Sequence, residues 1–130
     1  MNSRKAIRLY NRAQRKEKRE EKKVYNECFK ELKKIVFQKI LKVVKQGMTS
    51  ACIWEDELIE TAYRDFPKIP PVRKILDQIK NLLKKRGFII KEEEVTTNQY
   101  GRSITYSNKR WDISTKQLED IIRREYERNS

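Results

Sequence analysis

The chain has 130 residues, of which 37% are hydrophobic and 39% are charged, and this size and composition fit one small domain but not two. It contains no histidine, which removes the most common general acid–base group and a frequent metal ligand, so we expect no enzyme, cofactor or metal site. Its apolar runs are far shorter than the roughly 20 residues needed to cross a bilayer, so no membrane span is expected.

The first 25 residues form a basic arm. They hold ten Lys and Arg residues against three Glu, which gives this segment +7 of the formal net charge of +13. Cationic side chains that neutralise phosphates release condensed counterions, so a nucleic acid is the expected partner. A merely solvated helix is the alternative, and the excess of positive charge argues against it. The residues expected to contact phosphates are Arg4, Lys5, Arg8, Arg12, Arg15, Lys16 and Arg19.

A long first helix is predicted because the sequence from Arg4 to about Gln46 contains neither proline nor glycine. From Val24 onwards, apolar residues recur at helical spacing. Residues 14–23 are entirely polar and predict either a helical extension or a disordered arm. Gly47 is expected to close the helix in a left-handed conformation.

A short second helix is predicted over 55–66, after a strand-prone pair, Ile53 and Trp54. Three consecutive acids at 55–57 open this helix. The helix dipole explains acids in a first turn, and an active site built from them is the less favoured alternative.

A third helix is predicted from Pro71 to about Arg86, with Gly87 as its stop. One of its faces is apolar. The opposite face is predicted either to bind a ligand or to be ordinary solvated surface, since lysine is common on any exposed helix. Its polar side chains are Arg73, Asp77, Lys80, Asn81 and Lys84.

A β-hairpin is predicted after Gly87, with strands over 88–95 and 102–113. Simple alternation places Tyr106 and Trp111 on opposite faces, so a bulge is expected near Ser107 and Asn108. Cross-strand pairing with Lys109 and Arg110 is expected to neutralise part of the acidic triplet at 92–94.

The last segment, 114–130, is predicted to form a short amphipathic helix. Ser114 and Gln117 have the spacing of a capping box. The apolar face of this helix would consist of Leu118, Ile121, Ile122 and Tyr126.

The order helix, short extended piece, helix, helix, hairpin resembles the winged helix-turn-helix domain over about 27–113. Residues 82–90 (LLKKRGFII) are similar to the junction where that family's recognition helix runs through a glycine into the first wing strand. The resemblance implies an α+β, mostly helical fold, with a three-helix core and a β-hairpin. The division would be an arm at 1–25, a winged-helix-like domain at 26–113 and a terminal helix at 114–130.

Family behaviour would place the third helix in the major groove of DNA and the hairpin tip on the phosphate backbone. The resemblance therefore implies two groups of contact residues. On the helix they are Arg73, Lys74, Lys80, Asn81 and Lys84, and at the tip Asn98, Tyr100 and Arg102.

Three classes of function remain open. The preferred one is a non-enzymatic DNA-binding protein, such as a small transcriptional regulator. The second is a structural or assembly protein of a virus particle or nucleoprotein complex, whose terminal helices bind partner chains or further copies. The third is an RNA-binding protein, because a basic arm does not distinguish between nucleic acids.

The two cysteines, Cys28 and Cys52, lack the spacing of a metal site or a disulfide framework, and no apolar segment follows the basic start. An intracellular, reducing location is therefore expected, in the cytoplasm or nucleoid or inside a virus particle. Both cysteines, together with Trp54 and Trp111, are expected in the core.

Overall fold

The computed structural model describes residues 2–66, 68, 70–98 and 105–115. Within these ranges the chain forms α1 (Ser3–Lys45), β1 (Ala51–Trp54), α2 (Glu55–Asp65), α3 (Val72–Lys85), β2 (Phe88–Asn98) and β3 (Thr105–Thr115). The predicted class, α+β and mostly helical, is confirmed.

Helix α1 is continuous over 43 residues, which makes it about 65 Å long at 1.5 Å per residue. Asn2 caps its start, since the Asn2 side-chain oxygen accepts the Lys5 backbone N–H at 2.9 Å. At its end Gly47 has a φ of 77°, a conformation that costs glycine least. The Gly47 and Met48 N–H groups then bond the Val44 and Val43 carbonyls at 3.0 and 3.1 Å. The polar stretch 14–23 is thus a helical extension.

Helices α2 and α3 occupy the predicted segments to within a residue or two at each end. Pro71 immediately precedes α3 instead of forming its first residue, a shift of the size by which helix boundaries commonly vary. Gly87 ends α3 with a φ of 91°, as predicted, and its N–H bonds the Lys84 carbonyl at 3.1 Å.

The three strands form one antiparallel sheet in the order β1-β3-β2. The sequence predicted an extended piece at Ile53 and Trp54 but no partner for it. In the structure Ile53 lies opposite Trp111 of β3, and β3 pairs on its other side with β2. The central strand, β3, is therefore the last of the described strands in sequence order.

The expected bulge near Ser107 and Asn108 is absent from the described strands. Strands β2 and β3 pair without interruption from Phe88 opposite Thr115 to Asn98 opposite Thr105. Ser107 is exposed, so this part of the hairpin has no need to keep an apolar face toward the core, and no bulge is required to reverse its faces.

Strand β3 also runs further than predicted, through Thr115. Ser114 pairs with Ile89 within the sheet, and it is therefore not the cap of a terminal helix. The predicted helix residues Leu118, Ile121, Ile122 and Tyr126 lie outside the described residues.

The core lies between one face of the sheet and the three helices. Burying each large side chain completely contributes about 1.5–3 kcal/mol relative to exposure. Cys28 and Trp111 are fully buried as predicted, whereas Cys52 and Trp54 are half-buried. The largest fully buried side chains include Leu32, Val36, Ile53, Leu58, Ile75, Leu76, Ile79, Leu83 and Ile113.

Candidate nucleic-acid interface

The cations of the basic arm lie on one face of α1. At 100° per residue, all ten Lys and Arg residues from Arg4 to Lys23 fall within an arc of about 160°. The three acids, Glu17, Glu20 and Glu21, fall outside it. The arc lies away from the side on which Cys28 and Leu32 enter the core. We call this surface the basic face of α1.

The basic face is exposed, and its charges are not neutralised by other described residues. All ten cationic side chains are exposed, and none of them forms an ion pair with another described residue. Among the arm's acids, Glu20 reaches away from them to Lys68 at 3.6 Å. One open depression is bordered by Asn11 and by five of the cations. These cations are Arg8, Arg12, Arg15, Lys16 and Arg19.

The basic face continues beyond the arm toward the end of α3. Lys30, Lys33 and Lys34 fall in the same arc, so the face extends about 45 Å from Arg4 to Lys34. One turn further on, the Arg86 guanidinium from the end of α3 lies 5.2 Å from the ring centre of Phe37. Arg86 therefore brings the carboxyl-terminal turn of α3 next to the basic face.

An open groove lies where the arm meets the linker between α2 and α3. Its volume is about 440 Å³. Its lining combines three lysines and one glutamate with Val24, Tyr25 and two prolines, so it is both charged and apolar. The lining residues are Lys18, Glu21, Lys22, Val24, Tyr25, Lys68, Pro70 and Pro71.

The outward face of α3 is polar. Asn81 and Lys74 lie opposite the buried Ile75, Ile79 and Leu83, and all the neighbouring outward side chains are exposed. An asparagine amide offers a donor and an acceptor side by side, which suits the edge of adenine, and lysines suit phosphates or guanine. The exposed set is Arg73, Lys74, Asp77, Gln78, Asn81, Lys84 and Lys85.

Lys80 differs from the other predicted contact residues because its side chain is only 12% exposed. Its ammonium group pairs with Glu92 of β2 and, at 3.4 Å, with Asp77, and it lies 5.4 Å from the ring centre of Trp111. Burial lowers the pKa of Lys80, but the two carboxylates outweigh burial and raise it. Lys80 therefore joins α3 to the sheet, and its charge is already partnered.

Arg73 is likewise engaged within the fold. Its guanidinium donates to both oxygens of Glu55 at 3.4 and 3.3 Å, although its side chain remains 57% exposed. Glu55 is 2% exposed and also accepts the Trp111 ring N–H at 2.8 Å. The first acid of α2 is thus a buried structural acceptor. Glu55 is buried, Asp56 is half-buried and Glu57 is exposed, so the three acids do not form one site.

The acids of β2 are partly neutralised, as expected. Glu93 lies opposite Arg110 and forms an ion pair with it, and Glu92 pairs with Lys80. Glu94 lies opposite Lys109 in the ladder and accepts the Ser107 hydroxyl. The predicted tip residues Tyr100 and Arg102 lie outside the described residues.

Sequence reasoning missed several cations and an amide on these surfaces. Helical spacing carried forward from Arg19 would have found Lys30, Lys33 and Lys34, and the same reasoning on α3 would have found Gln78 and Lys85. No signal in the sequence pointed to the approach of Arg86 to Phe37, because these residues are far apart along the chain.

Other kinds of site find little support in the described part of the chain. It contains no cluster of His, Cys, Asp and Glu that could hold a metal ion. Burial raises the pKa of the Cys28 thiol to about 11, and Glu31 adds to the rise, so this thiol is unreactive at neutral pH. None of the helices in these ranges combines the length and apolar composition that crossing a bilayer requires.

The chain was compared with protein-family models, with curated proteins and with solved structures, and none of the three comparisons found a match.

Proposed function

We propose that this protein is a non-enzymatic nucleic-acid-binding protein that binds duplex DNA through the basic face of α1 and the outward face of α3. The observation that carries the proposal is the basic face itself, with ten exposed cations that have no ion partner among the described residues. Such a surface gains affinity by releasing counterions from phosphates.

The dimensions of the basic face also suit a duplex. Its length of about 45 Å is that of about 13 base pairs at 3.4 Å each. A single phosphate ligand would need only one or two of these cations, whereas a polyanion can contact many of them together.

Helix α3 is the proposed source of sequence preference. The order of elements and the junction from α3 through Gly87 into β2 support the proposed likeness to winged helix-turn-helix domains. In that arrangement Asn81 would face base edges, while Lys74, Lys84 and Lys85 would contact phosphates. Lys80 is omitted from this set because its ammonium is partnered by Glu92 and Asp77. A small transcriptional regulator is the role that fits best.

The first test separates the position of charge from its amount. One variant replaces Arg8, Arg12, Arg15 and Arg19 with Gln, and its matched control replaces the exposed Lys42, Lys45, Arg64 and Lys109 with Gln. Both variants lower the formal charge from +13 to +9. Binding to duplex DNA is measured by fluorescence anisotropy over a series of salt concentrations, with duplex RNA and single strands as competitors.

We expect the arm variant to reduce the slope of log affinity against log salt by about 3 to 4, because each lost phosphate contact removes about 0.9. The control should change the slope by less than about 1. Equal losses in the two variants would show that net charge alone attracts the DNA, and a preference for RNA would favour the RNA-binding alternative.

The second test addresses α3. Asn81→Ala should lower affinity for a selected preferred site by about 1–3 kcal/mol and leave affinity for unrelated duplexes unchanged. Gln38→Ala, which removes an exposed amide from α1, is the matched control. Arg73→Ala is avoided because Arg73 supports buried Glu55. If wild type shows no preference among sequences, α3 is not a reader of bases.

A structural or assembly role is the second candidate, and one observation favours it. Ile7 and Tyr10 are 59% and 64% exposed and lie on α1 outside the basic arc. In this role, the basic side of the arm contacts phosphates and its opposite side contacts a partner chain. Light scattering with and without DNA tests this role, which predicts assemblies of several copies that Ile7→Glu disrupts.

A further inference from the structure

Helices α1 and α3 lie side by side and run in the same direction. The groove at the start of α3 is lined by Pro71 and by Lys22 of α1. At the end of α3, the Arg86 guanidinium lies 5.2 Å from the ring centre of Phe37 of α1. Each helix rises about 22 Å between these two contacts, so the helices stay next to each other along the whole of α3.

The outward sides of the two helices face the same way. Both helices bury their apolar side in the same core, which holds Leu32 and Val36 of α1 together with Ile75 and Leu83 of α3. Helices that lie side by side on one core present their polar sides to solvent together. The exposed lysines of this shared side are Lys23, Lys30 and Lys34 on α1 and Lys74 and Lys85 on α3. We call the basic face of α1 and these two lysines of α3 the two-helix surface.

The arm extends the two-helix surface beyond the start of α3. Arg4 lies about 27 Å before Lys22 along α1, whereas α3 begins beside Lys22. Lys18 and Lys22 line the groove where the arm and α3 meet, so cations continue across this junction. From Arg4 to Phe37 the surface measures about 50 Å, which is the length of about 15 base pairs.

We propose that a single DNA duplex of at least about 15 base pairs contacts the arm and α3 together along the two-helix surface. This inference rests on the proposed function and adds the length and the arrangement of the partner. A duplex with a persistence length of about 150 base pairs is stiff over this distance, so one molecule reaches from the arm to the end of α3. A duplex of about half that length reaches only one part, and the arm, where the cations are densest, binds it.

The experiment compares duplexes of about 8 and about 20 base pairs, with affinity measured over a series of salt concentrations. One variant replaces Lys74 and Lys85 of α3 with Gln. Its matched control replaces Lys42 and Arg64 with Gln, because both are exposed but lie outside the two-helix surface. Circular dichroism confirms that each variant is folded.

We expect the α3 variant to reduce the slope of log affinity against log salt by about 2 on the long duplex, and by less than about 0.5 on the short one. The control should change the slope by less than about 0.5 on either duplex. Sedimentation analysis with the long duplex in excess should find one duplex per chain.

Three results would overturn the inference while leaving the basic face as a binding site. They are an α3 variant that binds the long duplex like wild type, an equal loss on both duplexes or in the control, and two long duplexes bound per chain. Failure of the intact chain to bind either duplex at low salt would instead overturn the proposed function, and the inference with it.

Discussion

At the scale of single residues, the buried carboxylate of Glu55 connects three elements. It begins α2, accepts the ring N–H of Trp111 from β3 at 2.8 Å and receives the guanidinium of Arg73 from α3. A buried carboxylate destabilises the fold unless donors surround it. Removing either partner therefore costs the lost hydrogen bond and also leaves the buried charge of Glu55 less well compensated. Lys80 makes a second connection nearby, from α3 over the Trp111 ring to Glu92.

Trp111→Phe should therefore destabilise the protein by more than lost packing alone. Phenylalanine keeps an aromatic ring but removes the donor to Glu55, and losing a hydrogen bond to a charged group costs about 1.5–3 kcal/mol. Urea unfolding followed by circular dichroism measures the free energy of unfolding. Trp54→Phe, at a half-buried position, is the control and should cost less. Equal losses would mean that the bond to Glu55 contributes little.

The pair between Lys80 and Glu92 predicts a dependence of stability on pH. The hydrogen bond from Lys80 lowers the pKa of Glu92, and burial opposes this only in part. A lowered carboxylate pKa stabilises the fold fully above the ordinary glutamate pKa of about 4.3, and the effect is lost as the pH falls through the lowered value.

Glu92→Gln should thus be less stable than wild type at pH 7, and the difference should disappear in strongly acidic solution. Urea unfolding measured from about pH 2.5 to about pH 7 tests this, because carboxylates titrate in the acidic part of that range. Glu60→Gln, at an exposed position of α2, should show a much smaller change with pH. A difference for Glu92→Gln that persists at the lowest pH would point to packing instead of charge.

At the scale of elements, α1 combines two tasks along one unbroken helix. Its second half packs on the core through Cys28, Leu32 and Val36, while its first half projects the basic face. Neighbouring cations at i and i+4 repel each other by about 0.2–0.5 kcal/mol per pair, so the charges of the arm oppose its helical conformation. Its cap at Asn2 and its continuity with the packed half support it.

The end of α1 depends on Gly47, whose φ of 77° is unfavourable for any residue with a Cβ. A Cβ placed there would meet no atom within 4 Å, so Gly47→Ala should cost only the backbone term, about 1–2 kcal/mol. Thermal and urea unfolding measure the loss. Gly47→Asn should lose less, because asparagine tolerates this conformation better than alanine. Equal losses for the two variants would contradict this reason.

At the scale of the whole molecule, positive charge is segregated and not evenly distributed. The body from α2 to β3 pairs several of its cations with its own acids, as in Arg73 with Glu55 and Arg110 with Glu93. The basic face has no such partners among the described residues. Segregation of this kind creates a directional field that attracts polyanions, which is why the proposed function rests on the position of the charges and not on their total.

The sequence by itself determined the elements that depend on local chemistry. The absence of glycine and proline up to Gln46 gave a long helix, and Gly47 and Gly87 marked two helix ends because both need a positive φ. Helical periodicity likewise identified the buried side of α3, where Ile75 and Ile79 enter the core.

Only the tertiary structure decided contacts between distant parts of the chain. Periodicity shows which side of a helix is apolar, but it does not show that β1 pairs with β3, or that Glu55 meets Trp111. It also placed Arg73 and Lys80 on the polar side of α3, where the fold uses their charges to hold acids of α2 and β2. Such pairings depend on how elements pack together, which local sequence patterns do not encode.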